Sequence, residues 1–177
     1  MNSQTTPELI AVPEVHTAAQ DAYTGIDFIS TGDQYLTFYL GRELYGVDIL
    51  NVTEIRGWDA PTRIPNAAGY MKGVVNIRGL VIPIIDLRIL FGVGEPTYNA
   101  TTVVVVLAIH TAQIDRTMGF VVDAVSDVLD VDAAKIKPGI HLTGTVSKSY
   151  IRGCVNSENE TITLLELSQI IQLDRSG

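Results

Sequence analysis

Along residues 35–40, Leu36, Phe38 and Leu40 alternate with Tyr35, Thr37 and Tyr39. A two-residue period predicts a strand with one face against a core. Gly41-Arg42-Glu43 makes a turn, and residues 44–49 return as a second strand. Residues 50–55 fit two elements, because Ile49, Val52 and Ile55 also share the face of a helical turn. Pro61, Pro65, Asn66 and Gly69 mark a loop between residues 57 and 69. Residues 72–91 then read KGVVNIRGLVIPIIDLRILF. Their apolar runs, 73–77 and 80–85, flank Arg78-Gly79, which predicts two strands joined by a tight turn, with Gly79 free to supply a positive φ.

Residues 86–91 read as one turn of helix ended by Gly92 and Gly94. Residues 102–109 are almost unbroken apolar sequence, expected as a strand buried on both faces. Residues 110–117 form a polar connection to a strand over 119–129. There Phe120, Val122, Ala124 and Val128 share one face, and Asp123 and Asp127 the other. A helical turn over 132–137, a last strand over 161–165 and a short closing helix over 166–173 complete the pattern. Many short strands with turn signals and little helix predict a mostly β fold, barrel or sandwich. Residues 1 to about 32 keep no sustained period and read as a loose N-terminal extension.

At 177 residues with 46% hydrophobic content, the chain suits one domain, or two small subdomains sharing a core. A net charge of -8 argues against nucleic acid, whose phosphates call for clustered Lys and Arg. It also disfavours anionic lipid, and no apolar run approaches the ~20 residues of a membrane span. Residues 1–20 carry no basic and apolar signal pattern. The single cysteine, Cys154, forms no internal disulfide and suits a reducing cytoplasm. It reads as a small packing residue. The Asn-x-Thr triplets at Asn51, Asn99 and Asn159 read as chance.

Signals of catalysis are missing. Gly92-Val93-Gly94 lacks the third glycine of a phosphate loop, and no Gly-x-Ser-x-Gly elbow occurs. His16, His110 and His141 are scattered and none lies near Cys154 in sequence. Asp123, Asp127, Asp130 and Asp132 lack the glycine and closing glutamate of a calcium loop and read as a solvated strand face. Trp58 and the seven tyrosines have no interleaved basic residues for base stacking. The plainest reading of Arg78 is an arginine at an exposed turn; amid apolar sequence it must reach solvent, a carboxylate or another protein. Polar residues inside apolar runs concentrate between Asp48 and Arg88, the pattern of a binding surface on a rigid sheet.

Three stretches carry a resemblance: YLTFYLGRELYGVDILNVTEIRG from Tyr35, TRIP from Thr62, and KGVVNIRGLVIPIIDLRILFG from Lys72. They resemble the CheW family, the coupling proteins of bacterial chemotaxis. Weaker agreement runs through TVVVVL from Thr102 and GFVVDAVSDVL from Gly119, so the resemblance spans roughly residues 34–173. It implies a pair of SH3-like five-stranded β barrels with a shared hydrophobic core and a few short helices. Residues 33–177 would form the domain, one subdomain from about 33–41 plus 98–177 and the other from about 42–97.

The resemblance further implies a non-enzymatic cytoplasmic adaptor without cofactor, recruited to receptor arrays at the membrane. It would bridge the cytoplasmic tip of methyl-accepting chemotaxis receptors to the regulatory domain of the histidine kinase CheA. Carried over by motif, the receptor-binding residues are Val52, Glu54, Ile55 and Arg78, with Gly73 and Val81 beside them. A helical receptor tip needs apolar seats and a few oriented charges: Val52, Ile55 and Val81 offer the first, Glu54 and Arg78 the second. Two opposite charges within apolar strands also predict that Glu54 and Arg78 pair. Kinase contacts are not assignable from the sequence. A CheA regulatory domain, a CheV adaptor half and a ligand-binding or enzymatic barrel are the alternatives.

Overall fold

Residues 33–138 and 146–173 are described by a computed structural model; the expected N-terminal extension lies outside them. Among the described residues, ten strands form two five-stranded sheets, each curled into a small SH3-like barrel. The terminal sheet takes β1 (Asp33–Leu40), β2 (Glu43–Asp48), β8 (Ala124–Val131), β9 (Ile151–Ser157) and β10 (Glu160–Leu165), in the order β8-β1-β2-β10-β9. The central sheet takes β3 (Val52–Gly57), β4 (Met71–Ile77), β5 (Leu80–Asp86), β6 (Val103–His110) and β7 (Asp115–Val122), in the order β3-β6-β7-β5-β4. Short helix α1 (Leu87–Phe91) links β5 to β6, and α2 (Leu167–Ile170) follows β10. Among the described residues no helix is long and apolar enough to cross a membrane.

The expected division at residues 41/42 and 97/98 differs from the observed one. The two-residue turn at Gly41-Arg42 folds β2 back on β1, pairing Leu40 with Glu43, so β2 stays in the terminal sheet. β6 and β7 belong to the central sheet, where β6 pairs with β3 and β7 lies parallel to β5. The first strand does join the C-terminal half as expected, through β8.

Residues 119–129 were expected as one strand but form two, broken at Asp123. There the chain leaves the central sheet for the terminal one. The Asp123 N–H donates to the Tyr39 carbonyl at 3.0 Å, and its carboxylate accepts from the Gly41 N–H at 2.6 Å. The break and a register shift in the β1–β8 ladder change which residues face inward, so Val125 rather than Ala124 packs on the core. Val128, expected on that face, is exposed at the sheet edge. The ambiguous segment resolves into a 3-10 turn (Ile49–Asn51) followed by β3. β9, with Arg152 and Asn156 breaking its apolar pattern, had no clear signal.

One core lies between the barrels and one inside each. On β6, Val105 and Leu107 face the shared core with Phe38, Tyr45, Phe91 and Phe120, while Val104 and Val106 face the central barrel's interior with Ile77 and Ile84. This two-sided burial is why the strand reads as continuous apolar sequence.

Arg88 is fully buried in α1. Its Nε and Nη2 donate to the two oxygens of buried Asp86 at 3.0 and 2.8 Å. Nη1 donates to Asp123 at 2.7 Å and to the Thr97 carbonyl at 2.8 Å. Asp86 also caps α1 through the Arg88 N–H and accepts from the Tyr98 hydroxyl at 2.6 Å. Burial works against the Arg88 charge, and hydrogen bonds to Asp86 and Asp123 more than reverse it, raising its pKa. Burial and the bond to Asp86 push the Tyr98 pKa up to about 12.

Removing one partner of such a pair leaves the other charge buried alone, so Arg88→Met is expected to cost about 3–5 kcal/mol in urea denaturation; a loss below about 1 kcal/mol would show the pair to be dispensable. Tyr98 holds its proton from 10.0 up to about 12 when folded, so its stabilising contribution is complete below pH 10 and is lost as pH rises through about 12. Stability measured by urea denaturation between those pH values is expected to fall less steeply with pH in Tyr98→Phe than in the wild type.

Candidate functional site

The β4–β5 hairpin closes through Arg78 and Gly79, with φ of 53° and 85°. Two positive values in a two-residue loop define the type I′ turn, whose twist matches that of the paired strands. Glycine adopts this conformation freely, whereas Arg78 bears a cost of roughly 1–2 kcal/mol for the left-handed region. Asn76 offsets part of it by accepting the Gly79 N–H at 2.9 Å. The result is an arginine at the apex of a rigid hairpin, its side chain 82% exposed.

Glu54 reaches this apex from β3. Its Oε2 lies 3.7 Å from Arg78 Nη2, and its Oε1 lies 3.9 Å from Arg56 Nε. The expected Glu54–Arg78 pair therefore forms. Both contacts are longer than the 2.7–2.9 Å of a charge-assisted hydrogen bond, and an exposed pair contributes under about 1 kcal/mol. Its effect is orientation rather than stability.

A bulge at Thr53 decides which side chains join Glu54. Val52 opposes Leu107 and Glu54 opposes Val106, so one extra residue stands between them. Thr53 fills the gap by donating its hydroxyl to the Val106 carbonyl at 3.2 Å. Because residues opposite each other share a face, Glu54 and Arg56 lie on the side of the central barrel's interior, with Val106 and Val104. Val52 turns instead to the shared core, where it is half-buried. Simple alternation puts Val52 and Glu54 on one face; the extra residue reverses that. Ile55 opposes Val105, and Val81 alternates with Ile82 and Ile84 of the barrel interior. Both therefore lie on the outer face of the central sheet, and both are exposed.

Gly73 is buried, with φ of 140°. A Cβ there would stand 2.1 Å from the Thr62 carbonyl oxygen. Thr62 and Val74 exchange backbone hydrogen bonds at 3.0 and 2.8 Å, so Gly73 admits the 59–62 loop to the edge of β4. A cleft of about 280 Å³ lies there, rimmed by Arg56, Asp59 and Asn76 and floored by Ile77, Ile84 and Val104.

Sequence reasoning missed Leu50, 87% exposed beside β3, and Leu80, exposed next to Val81. Leu50 sat in the ambiguous segment, and Leu80 looked like one more residue of an apolar strand. Trp58 packs its ring on that of Tyr98, tilted by 33° with centroids 4.4 Å apart, and donates its backbone N–H to the Thr102 carbonyl at 3.0 Å, which ties the end of β3 to the Asp86–Arg88 network. Asp123, read as part of a solvated acidic face, belongs to that network instead. Among the described residues no three of His, Cys, Asp and Glu gather where they would hold a metal.

Two packed SH3-like barrels with a charged, partly apolar edge define a small β scaffold. The chain belongs to the CheW-like domain family, which it matches over residues 34–175. It is 40% identical to the chemotaxis protein CheW of Klebsiella aerogenes over 142 residues, covering 80% of this chain and 83% of the relative. Identity to the chemotaxis protein CheW of Rhizobium meliloti is 36%, over 78% of this chain and 87% of that one. The crystal structure of the scaffolding protein TtCheW from Thermoanaerobacter tengcongensis superposes with a TM-score of 0.69 at 29% identity, covering 77% of this chain and 86% of that one.

Gly73→Ala is expected to destabilise the fold by on the order of 3 kcal/mol, from backbone strain and the Thr62 clash. Glu54→Gln is expected to cost under about 1 kcal/mol in the same denaturation series. A tolerated Gly73→Ala would refute the close approach of the 59–62 loop.

Proposed function

We propose that this protein is a non-enzymatic chemotaxis adaptor that couples methyl-accepting chemotaxis receptors to the regulatory domain of the histidine kinase CheA. It acts in the cytoplasm, at receptor arrays on the membrane, and uses no cofactor. The relatives named for chemotaxis and the scaffolding title of TtCheW support the class. The observation that carries the site is Arg78, exposed on a strained hairpin apex and steadied by Glu54.

A receptor tip built as a helical hairpin presents alternating apolar and charged positions to whatever grips it. Ile55 and Val81 supply exposed apolar contact, while Arg78 supplies a charge whose backbone position is fixed before the partner arrives. Such preorganisation lowers the entropy lost on docking. Val52 and Gly73 serve this edge indirectly, the first by packing β3 on the shared core and the second by admitting the 59–62 loop.

Arg78→Ala is expected to fold normally, because the side chain contributes reach and charge rather than packing. In a reconstituted assembly of receptor, CheA and this protein, it is expected to weaken receptor binding about tenfold or more and to lower kinase activation in step. Arg78→Lys is expected to rescue poorly, lacking the planar fork of guanidinium, and Glu54→Ala to be milder than Arg78→Ala. Full kinase activation by a folded Arg78→Ala protein would move the coupling surface elsewhere.

A further inference from the structure

Glu54 is shared between two arginines, each approaching a different oxygen of the carboxylate. Neither contact is short enough to be a charge-assisted hydrogen bond, so both are soft coulombic attractions that exchange easily. The two arginines differ in how they are held. Arg56 sits within β3, two residues from Glu54 and opposite Val104; its side chain is 42% exposed and lines the cleft beside β4. Arg78 stands on the hairpin apex, almost fully in solvent. Arg78 is the more exposed of the two and the better placed to turn outward.

We propose that Arg56 is a positioning residue for partner binding, keeping the Glu54 carboxylate paired while Arg78 turns onto an acidic side chain of the partner. Glu54 is only 26% exposed, so a carboxylate abandoned there would lose a counter-charge in a partly desolvated place as the partner closes over it. With Arg56 alongside, Glu54 keeps one cation throughout, and the whole charge of Arg78 becomes available to the partner. The chemistry required of that partner is a carboxylate within reach of the hairpin apex, set in an otherwise apolar contact. The inference rests on the receptor-binding edge proposed above.

A double-mutant cycle tests it, reading the affinity of the full chain for a receptor fragment that contains the cytoplasmic tip. Arg56→Gln is expected to weaken binding about two- to fivefold, the size of an exposed ion pair. Arg56→Lys, which keeps the charge, is expected to restore most of the loss. In an Arg78→Ala background, Arg56→Gln is expected to add nothing, since no release of Arg78 remains to be compensated. Equal losses in both backgrounds would make Arg56 a direct contact and overturn the proposal, as would unchanged affinity in Arg56→Gln alone. NMR of the Arg78 guanidinium in the free protein supplies a readout without the receptor. Its hydrogen exchange is expected to slow in Arg56→Gln, where Arg78 no longer shares Glu54. Unchanged exchange overturns the sharing and the role of Arg56 with it, and leaves the receptor-binding edge standing. Slowed exchange combined with normal receptor binding by Arg78→Ala overturns the receptor-binding edge, and the role of Arg56 with it.

Discussion

The structure depends on one buried cation. Arg88 has almost no contact with water, and an isolated charge in that position would oppose folding by several kcal/mol. The fold answers by bringing acceptors from separate places in the chain: Asp86 at the end of β5, Asp123 at the crossing from β7 to β8, and the Thr97 carbonyl. Asp123 also takes the Gly41 N–H from the β1–β2 turn. The central and terminal barrels are thus joined by directional bonds as well as by the shared core. Apolar packing alone tolerates sliding, whereas a bidentate arginine with fixed acceptors favours one arrangement.

That rigidity gives the exposed edge its character. β3 is held through Trp58, which packs against Tyr98, whose hydroxyl donates to Asp86. The β4–β5 hairpin is held by its turn and by the barrel interior beneath it. Between these two supports lie the soft contacts of Glu54 with two arginines and the backbone bridge between Thr62 and Val74. A charge mounted this way sits on a fixed backbone and contributes little to the stability of the free protein.

How much of this was legible depended on whether the signal was local. The β1–β2 hairpin, the Arg78-Gly79 turn and the doubly buried β6 all follow from nearby residues, because alternation, glycine position and unbroken apolar runs are local signals. The Glu54–Arg78 pair was reachable through the rule that charges within apolar strands need partners. What stayed hidden was non-local or depended on a single inserted residue. The bulge at Thr53 has no distinctive composition, yet it sends Val52 and Glu54 to opposite faces. Asp123 looks like any solvent-facing acid until Arg88, 35 positions earlier, is seen to reach it. Residues 86–91 read as one turn of helix, but nothing in that stretch announced that Asp86 and Arg88 are buried. The division between barrels was misplaced because sheet membership depends on pairings that sequence neighbours do not reveal.

The order of the strands has a consequence for how the chain reaches this state. All five central strands are consecutive, whereas the terminal sheet joins segments from both sides of them. The bond between Thr37 and Asp127 closes a loop of 90 positions, and loop closure grows costlier with length. Once the central barrel exists, β3 and β7 lie two strand spacings apart, about 10 Å. The long loop is then bridged by a folded body and the remaining closure is short. Prior folding of the central barrel thereby lowers the closure cost of the terminal one.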